Sequence, residues 1–397
     1  MKLAIFTGTP LFEKPLYVGN PMMEEETKRK FFKYMDDVFT RNYFTNNGPM
    51  VQRLEEEIAK IHSVKHCVAV CNATIGEILV LKALELKGEI ILPSFTFIST
   101  AHSCLWQGAK TVFCDISADS LTIDANSAVK LISADTSAII GVHLFGNTCD
   151  VKALELLCKD KNIKLIFDAA HAFNCSYGKT PVGNFGNAEI LSFHATKFFS
   201  TFEGGAILTN DSQLDAALRI LRNFGFRNYD DVGFLGINAK MSEASAAIGL
   251  ASLDSINLRL VRLKETYEMY REELHSIPGI KLLSMGDRGK TNYHYIPILI
   301  NQDKFGLPRD LLYQVLWKEN IIARRYFYPG CHRMEPYKTI YPDAYKKLPV
   351  TESIVQRILC LPSNLQNPKK DIPAIVEVIK SVQEHKDKVL AWAKIRS

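Results

Sequence analysis

Lys197 closes the run Ser192-Phe193-His194-Ala195-Thr196-Lys197, and the chain continues through Phe198-Phe199-Ser200-Thr201-Phe202 to Glu203-Gly204-Gly205. An unpaired ammonium is costly to bury, so a lysine among aromatic neighbours is poor packing material. Burial lowers its pKa toward the range where the neutral amine is a nucleophile. Such an amine forms Schiff bases with carbonyl compounds, pyridoxal phosphate (PLP) among them. Taken alone, a lysine reads more simply as a solvated loop residue. The chemical reading rests on what stands at neighbouring strand ends.

Three further stretches complete the pattern. Asn72-Ala73-Thr74-Ile75 follows a short apolar run and opens a helix, so its backbone N–H groups and a hydroxyl offer an anion site; a plain N-cap by Asn72 or Thr74 explains the same residues. Pro93-Ser94-Phe95-Thr96-Phe97 follows the next strand, and an aromatic there can stack on a heteroaromatic ring or serve as core. Asp168-Ala169-Ala170-His171 follows a third. A carboxylate at a buried strand end needs a partner, and a protonated pyridine nitrogen is a good one, because the ion pair keeps the ring an electron sink. A metal or hydrolase site using Asp168 and His171 is the competing reading; no glycine-flanked serine elbow and no second His/carboxylate cluster supports it. No metal is expected.

The elements that must position these residues follow from periodicity. Continuous apolar strands are expected at 67–71, 89–93, 111–115, 138–143, 164–168, 188–193 and 205–209, with helices between them. That alternation argues for an α/β fold with a mostly parallel sheet covered on both faces. In such sheets ligands gather outside the carboxyl ends of the strands. Before the sheet lie helices over 24–38 and 51–61, separated by the turn Thr45-Asn46-Asn47-Gly48-Pro49. A long helix is expected over 242–274. After Pro278-Gly279 the pattern becomes α+β, with strands at 280–283, 293–300 and 321–326 and helices at 309–318 and 372–385. The chain therefore divides into a large α/β domain with an N-terminal arm, 1–250, and a linker helix with a smaller α+β domain, 251–397.

Bulk properties bound the rest. The 397 residues are 47% hydrophobic and 23% charged, ordinary for a globular protein. The formal charge of +5 suits an anionic substrate and does not argue for nucleic acid. No apolar run is long enough for a signal peptide or a membrane span. The nine cysteines include no C-x-x-C pair, so reduced thiols in the cytoplasm are expected.

In these motifs the chain resembles the sugar-nucleotide aminotransferases of the DegT/DnrJ/EryC1/StrS family, within the fold-type I PLP enzymes. The matching pieces are TNNGP at 45–49, NAT at 72–74, PSFTF at 93–97, VHLFGN at 142–147, DAAHA at 168–172, SFHATK at 192–197, EGG at 203–205 and GINAKMSE at 236–243. The resemblance implies pyridoxal 5'-phosphate as cofactor and Lys197 as its Schiff-base lysine. It places Asp168 on the pyridine nitrogen, Phe97 on the ring face, Ala73, Thr74 and Ser192 on the phosphate, and His171 near the ring oxygen. Asn238 matches a residue that reaches the phosphate of the neighbouring subunit, which implies a homodimer with shared active sites. Arg324, Arg325, Tyr328 and His332 fall in the segment on the substrate side. Two departures stand out: Ala73 where glycine is commoner, and Lys240 where arginine is.

The implied reaction moves an amino group from an amino acid, L-glutamate, to a nucleotide-linked keto-deoxysugar. The nearest branch uses dTDP-4-dehydro-6-deoxy-D-glucose in making deoxyamino sugars for O-antigens or other polysaccharides. A 3-keto acceptor is the alternative within the family, and a catalytically silent regulatory paralogue the alternative outside it; the presence of Lys197 argues against the second.

Overall fold

The computed structural model describes residues 2–19, 21 and 23–395. Seven apolar runs form the central sheet: β1 His66–Val70, β2 Glu89–Pro93, β3 Lys110–Cys114, β4 Thr136–Val142, β5 Lys164–Asp168, β6 Ala188–Ser192 and β7 Gly205–Thr209. Their order is β1-β7-β6-β5-β4-β2-β3. Only β7 runs against its neighbours, pairing antiparallel with β1 and β6. Almost every side chain of these strands is buried, as expected when helices cover both faces. Register places Val142, Asp168 and Ile190 side by side at one end of the sheet. The ends of β1, β2, β5 and β6 all open to that side.

Helices follow their caps. α1 spans Glu25–Arg41 and α2 Pro49–His62. α2 opens with proline in its first turn, where the missing N–H costs nothing. Met50, Val51, Leu54 and Ile58 form its buried stripe, and fully burying a side chain such as Leu54 or Ile58 contributes about 2 kcal/mol. The carboxylate of Glu243, fully buried, accepts from the N–H groups of Met50 and Val51 at 2.9 Å each. The last residue of the GINAKMSE motif therefore caps another helix. α3 Ala73–Ala83, α4 Ile98–Trp106, α5 Val151–Lys161 and α6 Ser212–Leu221 follow strands of the sheet.

The long helix expected over 242–274 is two helices, α7 Glu243–Leu253 and α8 Ile256–Leu274. Ser255 Oγ donates to the Ser252 carbonyl at 2.9 Å, a local side-chain bond that competes with continued helix. Beyond α8 lies a second, antiparallel sheet of β8 Ile280–Leu282, β9 Ile296–Ile300 and β10 Ile358–Leu361. α9 Arg309–Lys318 and α10 Pro368–Glu384 share its core with α8. β10 has no counterpart in the sequence reading. The strand expected over 321–326 is only Ile321–Ile322, and it pairs in parallel with Leu16–Tyr17.

The first residues of the N-terminal arm, through Tyr17, pack on this C-terminal unit, whereas α1 packs on α7. Glu319, buried, accepts from the Leu11 N–H at 2.8 Å. Among the described residues, no helix is long and apolar enough to cross a membrane, and no group of three or more His, Cys, Asp or Glu side chains could hold a metal ion. All nine cysteines are free.

Candidate active site

The strand ends converge on a cavity of about 670 Å³ whose lining includes Asn72, Ala73, Thr74, Glu77, Phe97, Asp168, His171, Ser192 and Lys197. At one end is the N-terminus of α3. Asn72 Oδ1 accepts from the Ile75 N–H at 2.9 Å, a cap that contributes about 1 kcal/mol. The N–H groups of Ala73 and Thr74, the first two of the helix, have no carbonyl within it to bind, and both residues line the cavity. Ala73 is an ordinary helical residue with negative φ, so alanine in place of glycine strains nothing here. The glycine that matters is Gly205. A Cβ there would stand 2.8 Å from the Ala73 nitrogen and 2.7 Å from the Leu191 carbonyl oxygen, and its absence lets β7 press against the helix end. Ser192 lies directly opposite Gly205 in the sheet.

Phe97 lies just ahead of α4 and is 55% exposed. It is therefore not core, and its ring is open to a partner. Asp168 is buried at the end of β5. One carboxylate oxygen accepts from the Ala170 N–H at 3.0 Å, the other from the Thr100 hydroxyl at 2.7 Å. Thr100 in turn bonds Thr96 at 2.9 Å. These donors fix the orientation of the Asp168 carboxyl group.

Lys197 is partly buried at the turn after β6, where its N–H bonds back to the His194 carbonyl. Phe198 and Phe199 are buried beside it. Burial lowers the amine pKa to about 8, against the opposing pull of the Asp168 charge. Its Nζ lies 3.5 Å from the Tyr295 hydroxyl. The Thr196 carbonyl accepts a 2.7 Å hydrogen bond from His294 Nε2, which ties the lysine turn to the chain ahead of β9.

His171 is buried, with its ring against those of Phe145 and Tyr295. Its Nδ1 accepts from the Phe145 N–H at 3.2 Å, which leaves Nε2 as the protonated nitrogen. Burial, then the charges of Lys197 and His294, hold it neutral, with a pKa well below the usual histidine value.

On the far wall, Arg324 lines the cavity and lies over the Tyr326 ring at 4.9 Å. The structure does not bring the other three residues of that segment into the cavity. Arg325 pairs with Asp310 at 2.9 Å and packs over Tyr313 and Tyr328. Tyr328 also carries the Arg309 guanidinium. His332, 2% exposed, is locked between Ser94 Oγ at 2.6 Å and Glu352 Oε1 at 2.5 Å. Asn238 is exposed, bridges to Asn223 through the backbone and lies outside this chain's own cavity. Lys240 spends its ammonium on Asn223 at 2.9 Å and the Phe224 ring.

Sequence reasoning missed Glu77, Thr100, His194, Glu203, Tyr295 and Tyr326. All but Thr100 line the cavity, and Thr100 reaches it through Asp168. Position on a strand end could have pointed to His194, and the EGG motif to Glu203; the others carry no local signal.

The profile of the DegT/DnrJ/EryC1/StrS aminotransferase family matches residues 25–380. The chain belongs to that family. The dTDP-4-amino-4,6-dideoxy-D-glucose transaminase of Shigella dysenteriae is 36% identical over 94% of this chain and 100% of its own. The GDP-perosamine synthase of Vibrio cholerae is 29% identical over 86% of this chain and 93% of its own. Among solved structures, DesI in the presence of its TDP-sugar product superposes with a TM-score of 0.91 at 36% identity, covering 99% of both chains. Helicobacter pylori PseC, an aminotransferase of pseudoaminic acid biosynthesis, gives 0.86 at 27% identity, over 94% of this chain and 100% of its own.

As a member of this family the protein is a PLP-dependent aminotransferase of nucleotide sugars. The residues present suit the cofactor: a helix end with unpaired N–H groups for a phosphate, an exposed aromatic face, a buried carboxylate held by donors, and a lysine whose amine is partly neutral near pH 8.

Proposed function

We propose that this aminotransferase moves the amino group of L-glutamate to dTDP-4-dehydro-6-deoxy-D-glucose, giving dTDP-4-amino-4,6-dideoxy-D-glucose. The observation that carries the catalytic reading is that Lys197 and Asp168 line one cavity together with the open end of α3 and the exposed face of Phe97. The full-length likeness to the Shigella enzyme supports the choice of sugar.

Each residue then has a role. Ala73, Thr74 and Ser192 hold the cofactor phosphate, the first two through N–H groups at a helix N-terminus. Phe97 lies against the ring. Asp168 would keep the pyridine nitrogen protonated, and His171 would donate from Nε2 to the ring oxygen. The bound cofactor supplies an electron sink for negative charge at the donor's α-carbon. Lys197 Nζ would hold and move the proton at the donor's α-carbon, and in the second half-reaction at the sugar carbon that receives the amine. An amine with a pKa of about 8 is well placed for both directions near neutral pH. Arg324, exposed on the far wall, meets the diphosphate.

The active unit is a homodimer. Asn238 lies on a segment that also exposes Phe224, Tyr229, Phe234 and Leu235, and Phe44 is exposed as well. A second copy covering this apolar surface would receive Asn238 at its own phosphate site. The nine free thiols suit a reducing compartment, the cytoplasm.

The test is to load the protein with pyridoxamine phosphate and add a panel of dTDP- and GDP-linked 3-keto and 4-keto sugars, following the return of the PLP absorption. The dTDP-linked 4-keto sugar should restore it fastest. Restoration by a 3-keto sugar alone would reassign the acceptor. No restoration by any of them would end the aminotransferase reading of the site.

A further inference from the structure

Glu77 lies on α3, one turn in from the phosphate end, and is 3% exposed. It lines the same cavity as Asp168. Its Oε2 atom is shut off from solvent and accepts no hydrogen bond. A carboxylate in that state would be a buried charge without compensation, which proteins avoid. Among the described residues, the groups that act on Glu77 are Asp168 and Ser103, and neither is a cation. Ser103 Oγ already donates to the Thr100 carbonyl at 2.9 Å. Lys197 faces Asp168 rather than Glu77.

Two carboxyl groups brought together in a buried site share one proton rather than both ionising. The donors decide which one keeps it. Asp168 accepts from the Ala170 N–H and the Thr100 hydroxyl and feels the Lys197 ammonium. Glu77 is met by one hydroxyl, that of Ser103, which also bonds the Thr100 carbonyl, so the proton stays on Glu77. Burial, then the negative charge of Asp168, push the Glu77 carboxyl well above the usual carboxylate range.

We propose that Glu77 is a positioning residue that acts through Asp168: as a neutral acid it donates its O–H to the Asp168 carboxylate. That third donor fixes the carboxylate and spreads its charge. It makes Asp168 a weaker base, so a proton shared with the pyridine nitrogen stays on the ring. The inference rests on the reading of Asp168 as the ring-nitrogen partner.

Three variants and two readouts test it. Infrared spectra of the wild-type protein at neutral pH, with and without PLP, should contain the carbonyl stretch of a buried carboxylic acid, and Glu77→Gln should lose it. The glutamine amide can still donate to Asp168, so PLP affinity in Glu77→Gln should stay within about threefold of wild type. Glu77→Leu fills similar space without a donor and should bind PLP about tenfold more weakly. A packing role would leave leucine as good as glutamine, and an ionised Glu77 would leave glutamine as poor as leucine; either result overturns the proposal. So does the absence of the carboxylic-acid band, or its survival in Glu77→Gln, which stands even if the leucine variant does not fold. Asp168→Asn separates the two readings. If that change leaves PLP affinity intact, the role of Asp168 itself fails. If it weakens binding while both Glu77 variants are silent, only the carboxyl pair fails.

Discussion

Lys197 Nζ lies 3.5 Å from the Tyr295 hydroxyl, so the reactive amine of the large sheet is met by a residue leading into β9 of the smaller one. Tyr295 is buried, and burial pushes its phenol well above the usual tyrosine pKa. It is therefore a neutral neighbour, able to accept from the lysine ammonium. Lys197 itself is lowered from 10.5 to about 8 by burial.

The pH dependence of cofactor capture follows. Only the neutral amine attacks the PLP aldehyde, so the capture rate of the cofactor-free protein should rise with pH through about 8 and level off above it. An ordinary lysine would keep gaining to beyond pH 10. Tyr295→Phe removes an acceptor for the ammonium and should move the midpoint lower, with a rate change within about tenfold. Stopped-flow capture rates across pH 6–10 would check both. A midpoint above about 10 would mean that Lys197 is an unperturbed lysine.

Borohydride reduction of the loaded protein should fix the cofactor on Lys197, as read by peptide mapping. Lys197→Ala should still bind PLP through the α3 terminus and Asp168, yet lose transamination by at least about a thousandfold, the scale of positioned proton transfer. A reduced adduct on another lysine would remove Lys197 from the mechanism.

Asp168→Asn keeps the shape and removes the charge. It should weaken PLP binding and slow both half-reactions by about a hundredfold, since an ionic hydrogen bond contributes roughly 3 kcal/mol. Thr100→Val removes the 2.7 Å donor from Asp168 and should give a smaller loss of about tenfold in both halves. Single-turnover measurements with glutamate and with the keto sugar would show whether the halves fall together. A defect confined to the sugar half would make Asp168 a substrate residue.

Why some of this was legible in the sequence, and some not, has a physical basis. Lys197, Asp168, Phe97 and the Asn72-Ala73-Thr74 turn each follow a continuous apolar strand, and a parallel sheet places all such ends on one side. Tyr295, Glu77 and the Glu243 cap act across distances of ninety residues or more on the chain, with no local pattern to mark them. The segment 324–332 misled because charge and aromaticity suggested one binding face. In the structure neighbouring residues point different ways: Arg324 toward the cavity, Arg325 toward Asp310, His332 into the Ser94–Glu352 pair. The break at Asp254–Ser255 was hidden because residues on both sides favour helix, while at the break both the N–H and the hydroxyl of Ser255 turn back to the Ser252 carbonyl.

Acid should destabilise the fold through buried histidines. His62 and His294 are both lowered from 6.5 to about 4, chiefly by burial. Below pH 6.5 the unfolded chain takes up protons that the native state refuses, so stability falls as pH drops from 6.5 to about 4 and the loss is complete below that. The full effect is roughly 3 kcal/mol per histidine. The double variant His62→Gln, His294→Gln should have a lower Tm at pH 7 but a flatter decline toward pH 4.5. An equal decline in both proteins would place the acid sensitivity elsewhere.

The proposed sharing of active sites between two copies gives the last prediction. Asn238 is exposed and its own cavity does not include it, so in the proposed homodimer its contact is with the cofactor phosphate of the second copy. An isologous dimer makes that contact twice. Asn238→Asp places a carboxylate against the partner's phosphate and should weaken PLP binding there. Lys197→Ala disables a subunit's own site and leaves its Asn238 intact. When the two inactive variants are mixed and subunits exchange at random, about half of the dimers are mixed. In each of these, one site carries both lesions and the other carries neither. Activity should therefore return to about a quarter of the wild-type level. If exchange is demonstrated by mass spectrometry and activity stays at zero, Asn238 acts within its own subunit or has no part in the site. If Asn238→Asp alone is fully active, the aspartate never meets the phosphate and the shared site fails at its first step.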